Sequence, residues 1–306
     1  MTDTQNAFRF GLSGSVFGDI NEIVDSAVRG ERAGFDTYVV PDLALSGALS
    51  PLITLAAVAR ATTRLGLGTF VLNTGLWNPG TIARALATLD QVSGGRVDIN
   101  LGTGIPMPAA QGVIPADREA RFARLTDTVK AVKAAFAEPG LSPGFAGTHK
   151  ILVAGGSDRV LRLVAEEADG FILASVPPVP KVQLPQGHMV LPERAPAEEF
   201  LGRLRDYAGD RADRLELGVG LPLVITDDAE AEAAKLAEIH TYLTPEQILA
   251  SPKILIGTVD EIAAAIIDRG KTLGITYNIL RGAEPEVLGE VIRKVKESGL
   301  SAPGAG

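Results

Sequence analysis

A turn with two adjacent glycines could bind an anion. The run Ile151-Leu152-Val153-Ala154 has the composition of a buried strand, and Gly155-Gly156-Ser157 follows it before a helical pattern begins at Asp158. Backbone N–H groups at such a turn can converge on a phosphate, and the dipole of the following helix adds to the attraction. An ordinary turn whose last residue caps the helix explains the pattern equally well. The charge of Asp158 disfavours an anion, and Arg159 and Arg162 could offset it.

Side chains at the ends of other predicted strands form a second set of candidates. Asp42 follows one strand and could act on a ligand or cap a helix. Asn73 and Trp77 follow the next; the only tryptophan of the chain could stack on a planar ligand or cover the rim of a site. Thr103-Gly104 and Ser175 follow two later strands, where small residues serve either binding or packing.

The elements that must position these residues alternate along the chain. Short apolar, β-branched runs predict strands, and amphipathic segments between them predict helices. The predicted strands are 8–12, 37–40, 65–72, 97–101, 151–154, 170–173, 215–225 and 277–280. The main predicted helices are 20–33, 51–61, 79–92, 117–137, 158–168, 197–207, 228–239, 260–271 and 284–296, with a short helical turn at 245–249.

Eight strands alternating with helices indicate a parallel sheet covered on its faces. A closed (β/α)8 TIM barrel and a doubly wound open sheet both satisfy this pattern, and alternation without a mid-chain break favours the barrel. We expect a single domain over 1–306, in which a proline-rich loop at 176–196 is inserted after strand six and the tail 301–306 is frayed. In a barrel, the candidate residues would lie at the carboxyl ends of the strands, where such enzymes place their active sites. Arg281, after the last predicted strand, could hold an anionic group of a substrate or form a surface salt bridge.

The composition excludes several kinds of chemistry. The 306 residues contain no cysteine and only three histidines, which excludes disulfides and thiolate catalysis and disfavours a histidine-rich metal centre. A net charge of −8 without a basic cluster argues against nucleic acid and anionic membrane as partners. The chain lacks a signal-like start and an apolar run of about 18 residues. We therefore expect a soluble, cytoplasmic protein.

Longer motifs resemble a known family. The runs Ala61-Thr62-Thr63-Arg64-Leu65-Gly66-Leu67-Gly68-Thr69 and Ala87-Thr88-Leu89-Asp90-Gln91-Val92-Ser93-Gly94-Gly95-Arg96 resemble the bacterial luciferase-like monooxygenase superfamily. The glycine turn with Ala165-Glu166-Glu167-Ala168-Asp169-Gly170, and Ile256-Gly257-Thr258-Val259-Asp260-Glu261, resemble the branch that uses the deazaflavin coenzyme F420. The resemblance extends from about Phe8 to Lys296 and is weakest across 176–250.

The resemblance implies a (β/α)8 barrel that holds a tricyclic cofactor at its mouth. Asp42 would approach the deazaflavin ring, Phe70-Val71 would form a non-proline cis peptide bond behind it, and Asn73 with Thr103-Gly104 would lie at its edge. The backbone amides of Ala154-Gly155-Gly156-Ser157 would bind the cofactor phosphate. We also expect Ser175 to bind the cofactor. Homodimers are common in the superfamily, so a homodimer is possible for this chain.

At two positions the chain differs from members of the family that it resembles. Many relatives carry His where this chain has Leu43, and the sugar-phosphate dehydrogenases carry Glu where it has Ile105. We therefore expect reduction of an activated C=C or C=N bond of a small organic substrate rather than alcohol dehydrogenation. Asp42, Trp77 and Tyr242 are the candidate catalytic residues, although the proton donor stays open. An FMN-dependent monooxygenase and a non-catalytic flavin- or deazaflavin-binding protein are the alternatives.

Overall fold

A computed structural model describes residues 8–43, 47–104, 114–115, 117–137, 145, 149–185 and 188–298. Within these residues, strands and helices alternate as the sequence predicts. The strands are β1 (Arg9–Ser13), β2 (Thr37–Val40), β3 (Gly66–Thr69), β4 (Leu72–Asn73), β5 (Val97–Gly102), β6 (Ile151–Gly155), β7 (Gly170–Leu173), β8 (Glu216–Ile225), β9 (Leu255–Gly257) and β10 (Ile275–Arg281). The helices are α1 (Ile20–Ala33), α2 (Pro51–Ala61), α3 (Pro79–Ser93), α4 (Arg118–Ala137), α5 (Asp158–Glu167), α6 (Arg194–Ala208), α7 (Ala229–Ile239), α8 (Pro245–Ala250), α9 (Val259–Leu273) and α10 (Pro285–Glu297).

The strands form the predicted (β/α)8 barrel. Their hydrogen-bonded order is β10, β1, β2, β3, β5, β6, β7, β8, and β8 pairs back with β10 to close the ring. The pairs β1–β2, β2–β3, β3–β5, β5–β6 and β8–β10 are parallel. Two short strands lie outside this ring, since β4 extends the edge of β5 beyond β3, and β9 pairs with β8.

Local sequence signals explain where helices begin and end. The side chain of Asn78 accepts hydrogen bonds from the N–H groups that open α3, and Pro79 occupies its first turn. Gly94 ends the same helix in the left-handed conformation, which glycine adopts at little cost. Helix α9 begins with a capping box, in which Thr258 and Glu261 satisfy each other's backbone N–H groups.

Three local predictions differ from the structure. The predicted strand 65–72 is interrupted between β3 and β4, and β9 lies where no strand was expected. The proline-rich segment is shorter than 176–196, because α6 already begins at Arg194 and accommodates Pro196 in its first turn, where proline is tolerated. Residues 174–185 and 188–193 contain no helix or strand, as the predicted loop requires. The tail 301–306 lies outside the described residues.

The chain divides into two compact units. The first contains Gly11–Ala154 and Glu167–Gly170, and the second contains Met1–Phe10, Gly155–Glu166 and Phe171–Gly306. Each has an apolar core, which in the second unit includes a separate cluster around Leu243 and Ile254. The single domain over 1–306 stays a prediction. No helix in the described part of the chain is long and apolar enough to cross a bilayer.

Candidate active site

An irregularity in the first unit separates β3 from β4. Gly68 and Leu72 are four residues apart, whereas their partners on β5, Asp98 and Leu101, are three residues apart, so one residue is extra on the β3–β4 side. The extra residue forms a β-bulge, a feature that commonly re-aims side chains near active sites. The peptide bond between Phe70 and Val71 at this bulge is cis, as the resemblance implies.

The carboxylate of Asp42 is buried at the end of β2 and orders the segment after β4. Its Oδ2 accepts hydrogen bonds from the Asn73 backbone N–H at 3.0 Å and from the Trp77 indole Nε1–H at 2.8 Å. Burial raises the pKa of the Asp42 carboxyl above its usual range, and the two hydrogen bonds act in the opposite direction. The structure thus joins Asp42, Asn73 and Trp77, three candidates that the sequence places on two separate loops.

Asn73 in turn packs closely against Gly104, two residues after β5. Its Oδ1 accepts the backbone N–H of Gly75 at 3.1 Å. A Cβ at Gly104 would lie 1.7 Å from the same Oδ1, and Gly104 has a φ of +76°. Only glycine meets both conditions without strain. We call Asp42, Asn73, Trp77 and Gly104 the Asp42 cluster; Thr103 directly precedes its glycine in the chain.

Glycine also permits close packing behind this cluster. A Cβ at Gly102 would lie 2.7 Å from Cγ2 of Val71, so the side chain after the cis bond packs directly over the end of β5. The hydroxyl of Thr74 donates a hydrogen bond to the Gly102 carbonyl at 2.9 Å, which is a second contact with the end of β5. The loop after β4 is therefore held by β2 and β5 together.

The glycine turn, defined here as Gly155–Ser157, leads from β6 into α5. Among the described residues, the N–H groups of Gly156 and Ser157 have no hydrogen-bond acceptor, while the Ser157 carbonyl accepts the N–H groups of Val160 and Leu161. A Cβ at Gly155 would meet Val160, and one at Gly156 would lie 2.0 Å from Oγ of Ser175. The turn therefore brings Ser175 against Gly156 and leaves two donors at the start of a ten-residue helix.

Asp158 has an ion-pair partner that the sequence did not indicate. Its Oδ1 lies 3.6 Å from Nη1 of Arg203, on α6. The guanidinium of Arg162 lies 4.0 Å from the ring centroid of Tyr207 instead of at the turn. Arg203 is a partner that the local sequence could not indicate, because it is 45 positions away in the chain, and the role of Arg159 stays a prediction.

A buried lysine near the end of a barrel strand was missed by the sequence analysis. Lys253 is only 4% exposed, and its Nζ donates a hydrogen bond to the Ala174 carbonyl just after β7. Burial, followed by the charge of Arg281 at the end of β10, lowers the pKa of Lys253 to about 8. Neither cation has a carboxylate partner in the described part of the chain. The only sequence signal for Lys253 is its position directly before an apolar run.

Tyr242, the third candidate catalytic residue, lies in the second unit and contacts Leu191 and His240. Its hydroxyl accepts the backbone N–H of Leu191 at 2.9 Å and lies 3.2 Å from Nδ1 of His240. The departure at Ile105 falls outside the described residues, whereas Leu43 is half-buried. No group of three or more metal-binding side chains occurs in the described ranges.

Comparison with known proteins places the chain in a family. The model of the luciferase-like monooxygenase family matches residues 4–252. The chain belongs to this family.

Similar proteins include several that use F420. A curated F420-dependent glucose-6-phosphate dehydrogenase of Kineococcus radiotolerans is 32% identical over 178 residues, which cover 50% of this chain and 52% of the relative. The chain thus matches about half the length of this relative. A solved F420-dependent secondary alcohol dehydrogenase has a TM-score of 0.71 at 16% identity, covering 94% of this chain and 99% of its own. A long-chain alkane monooxygenase has the same TM-score at 14% identity, covering 98% and 93%. These structures share the barrel fold.

Proposed function

We propose that this chain is an F420-dependent oxidoreductase. The observation that carries the proposal is the pair of N–H groups of Gly156 and Ser157, which have no acceptor among the described residues. Two such donors at the start of α5 suit a phosphate, since the helix dipole also favours negative charge there. The relatives that match about half of the chain at 30% identity or more are named as F420-dependent dehydrogenases.

The residues of the chain suit this cofactor. In the proposal, the glycine turn binds the phosphate, and Ala154 and Ser175 flank it in sequence and in space. Phe70, Val71, Asn73, Thr103 and Gly104 contact the tricyclic ring, and Asp42 with Trp77 fixes the loop on which Asn73 lies. Because this loop is already held by hydrogen bonds, binding orders few side chains and loses little entropy.

F420 supplies hydride chemistry when it is bound, and the protein orients the substrate and excludes water. We propose that the substrate is a small organic molecule with an activated C=C or C=N bond. The residue after Gly104 supports reduction over sugar-phosphate dehydrogenation, because Ile105 cannot act as the acid or base that Glu provides in those relatives. Asp42, whose pKa is raised by burial, and Tyr242 are the side chains proposed to hold a proton.

Lys253 and Arg281 favour a substrate that carries an anionic group. Burying two cations without a carboxylate partner is unfavourable, and an anion between them would relieve that penalty. We propose that these side chains bind a carboxylate or phosphate of the substrate. Glucose 6-phosphate, named in those relatives, also carries an anionic group. An anionic substrate is therefore compatible with dehydrogenation as well as with the proposed reduction.

Titrating the purified protein separately with F420 and with FMN tests the proposal. We expect a micromolar or lower Kd for F420 from the change in deazaflavin fluorescence, and reoxidation of reduced F420 when enones or imines are added. Micromolar FMN binding without F420 binding would instead support the flavin-dependent monooxygenase. Tight F420 binding without turnover across a broad panel of enones, imines and their anionic derivatives would support a non-catalytic binding protein. We also propose that the chain forms a homodimer, which sedimentation in the same samples tests.

A further inference from the structure

Arg203 lies beside the first turn of α5, although it belongs to α6. Its Nη1 lies 3.6 Å from Oδ1 of Asp158, the residue directly after the glycine turn, and both helices belong to the second unit. We propose that Arg203 allows the glycine turn to bind a phosphate, because its guanidinium offsets the charge of Asp158. The inference rests on the proposed function and adds to it a positioning residue that acts through Asp158 and determines the affinity of the turn for anions.

Asp158 opposes a phosphate at this turn. It is the first residue of α5, next to Ser157, whose N–H group is one of the two donors of the turn. A carboxylate at the start of a helix is attracted by the helix dipole, so it competes with a bound anion for the same positive potential. Like charges a few ångströms apart near a protein surface repel enough to weaken binding on the order of tenfold. A cation paired with Asp158 removes much of that repulsion.

The guanidinium of Arg203 keeps hydrogen-bonding capacity beside this turn. Its Cζ lies 5.3 Å from the ring centroid of Phe200, a buried residue one turn earlier on α6. Its Nε is buried without a hydrogen-bond partner in the part of the chain that the structure describes. The distance to Asp158 is longer than a hydrogen bond, so the pair interacts through its charges. Because buried donors in proteins normally have an acceptor, Nε suits a ligand oxygen or a water.

Two other arginines close to α5 have different partners. The guanidinium of Arg162 lies over the ring of Tyr207, and Arg211 donates a hydrogen bond to the carbonyl of Ala165, in the last turns of the helix. The structure therefore pairs Asp158 with the arginine of α6. Arg159, which follows Asp158 in the chain, is the competing explanation and has its own variant in the test.

Charge variants of the ion pair test the inference through the affinity for F420. We expect Arg203→Gln to raise the Kd about tenfold, because the charge of Asp158 is then uncompensated. The Arg203→Gln/Asp158→Asn double variant should bind within about twofold of the wild type, and Arg203→Lys, which keeps the charge, within about threefold. Fluorescence titration at about 0.1 M and about 0.5 M NaCl gives the Kd values, and the loss in Arg203→Gln should shrink at the higher salt.

Arg194→Gln is the matched control. Arg194 is also on α6, forms ion pairs with Glu198 and Asp268, and has a side chain 33% exposed, against 37% for Arg203. It lies nine positions earlier, about 13 Å along a helix and beyond the screening length of about 10 Å at 0.1 M salt. Its Kd should change by less than about twofold, and both variants should melt close to the wild type. A loss in Arg159→Gln with unchanged binding by Arg203→Gln would overturn the inference.

The same set of proteins separates this inference from the proposed function. Equal F420 affinity of the wild type and Arg203→Gln, or a double variant as weak as the single one, would overturn the inference while F420 binding stands. If the wild type fails to bind F420, the proposed function is rejected, and inorganic phosphate followed by phosphorus NMR becomes the probe. Phosphate binding that weakens in Arg203→Gln and recovers in the double variant then supports the inference, and a wild type that binds no phosphate overturns it as well.

Discussion

The Asp42 cluster and the glycine turn satisfy their polar groups in opposite ways. In the Asp42 cluster, the oxygens of Asp42 and Asn73 accept hydrogen bonds from N–H groups of the chain itself, and Gly104 leaves no room beside Asn73. At the glycine turn, two N–H groups have no acceptor in the described ranges. The first region is therefore packed by its own side chains, whereas the second has two N–H groups that can bind water or the phosphate of the proposed cofactor. Substitutions that disturb the packing of the first should reduce stability, and substitutions in the second should reduce affinity for the proposed cofactor.

The largest effect is expected at Gly104. Gly104→Ala combines a positive φ with a Cβ placed 1.7 Å from Oδ1 of Asn73. We expect a loss of about 3 kcal/mol or more in the free energy of unfolding, from backbone strain of about 1 kcal/mol and overpacking of about 2 kcal/mol. Urea denaturation followed by circular dichroism measures it.

Gly94→Ala is the matched control for Gly104→Ala. Gly94 has nearly the same conformation, with φ +71°, but a Cβ there would meet nothing within 4 Å. It should therefore show only the strain, about 1 kcal/mol. Equal losses for the two variants would mean that Asn73 yields easily and that the cluster is not rigid. A Gly104→Ala/Asn73→Ala double variant should lose less than the sum of the single losses, because the clash is gone.

The glycine turn should respond in affinity instead. Gly156→Asp and Gly156→Asn place side chains of the same shape against Ser175, so only the charge distinguishes them. We expect Gly156→Asp to bind F420 about tenfold or more weakly than Gly156→Asn, because a carboxylate repels the phosphate. Fluorescence titration gives both Kd values, and the two melting temperatures should agree closely.

Two results would contradict this assignment. Equal F420 affinities for the Asp and Asn variants at low salt would remove the glycine turn from the phosphate site. A difference that does not shrink when the ionic strength is raised would mean that charge is not its cause, since partly exposed charges are screened by salt.

The same contrast explains what the sequence could predict. The barrel follows from alternating apolar runs and helix caps, because each signal lies within a few residues, as with Asn78 and Gly94 around α3. The glycine turn is local in the same way. The bulge between β3 and β4 is not, since the hydrophobic pattern continues through Phe70-Val71 and only pairing with β5 reveals the extra residue.

Contacts between distant segments account for the rest. Trp77 donates to a carboxylate 35 positions earlier, and Tyr242 accepts from an amide 51 positions earlier. The burial of Lys253 depends on the Ala174 carbonyl, 79 positions away. Local patterns predict elements, but the pKa of a buried lysine depends on which elements pack together.

The smallest effect is expected from the charge of Asp42. Its ionised carboxylate is buried, and burial of a charge reduces the stability of the folded protein. Folding raises the pKa of this carboxyl, so the folded state binds the proton more tightly than the unfolded state. Its ionised form therefore reduces stability at pH values above the folded pKa, and that penalty disappears as the pH falls through it. An asparagine at this position can still accept hydrogen bonds through its amide oxygen. We expect Asp42→Asn to be at least as stable as the wild type at pH 7, with a smaller advantage at pH 4.

Denaturation of both proteins across pH 4 to 8 measures this difference, with the exposed Asp127→Asn on α4 as the control. The control should show no comparable trend, because Asp127 is in contact with water. An advantage of Asp42→Asn that grows as the pH falls would reverse the sign and mean that the hydrogen bonds from Trp77 and Asn73 outweigh burial. The Asp42 cluster would then be stabilised by its anion, and the contrast with the glycine turn would rest on steric packing at Gly104 alone.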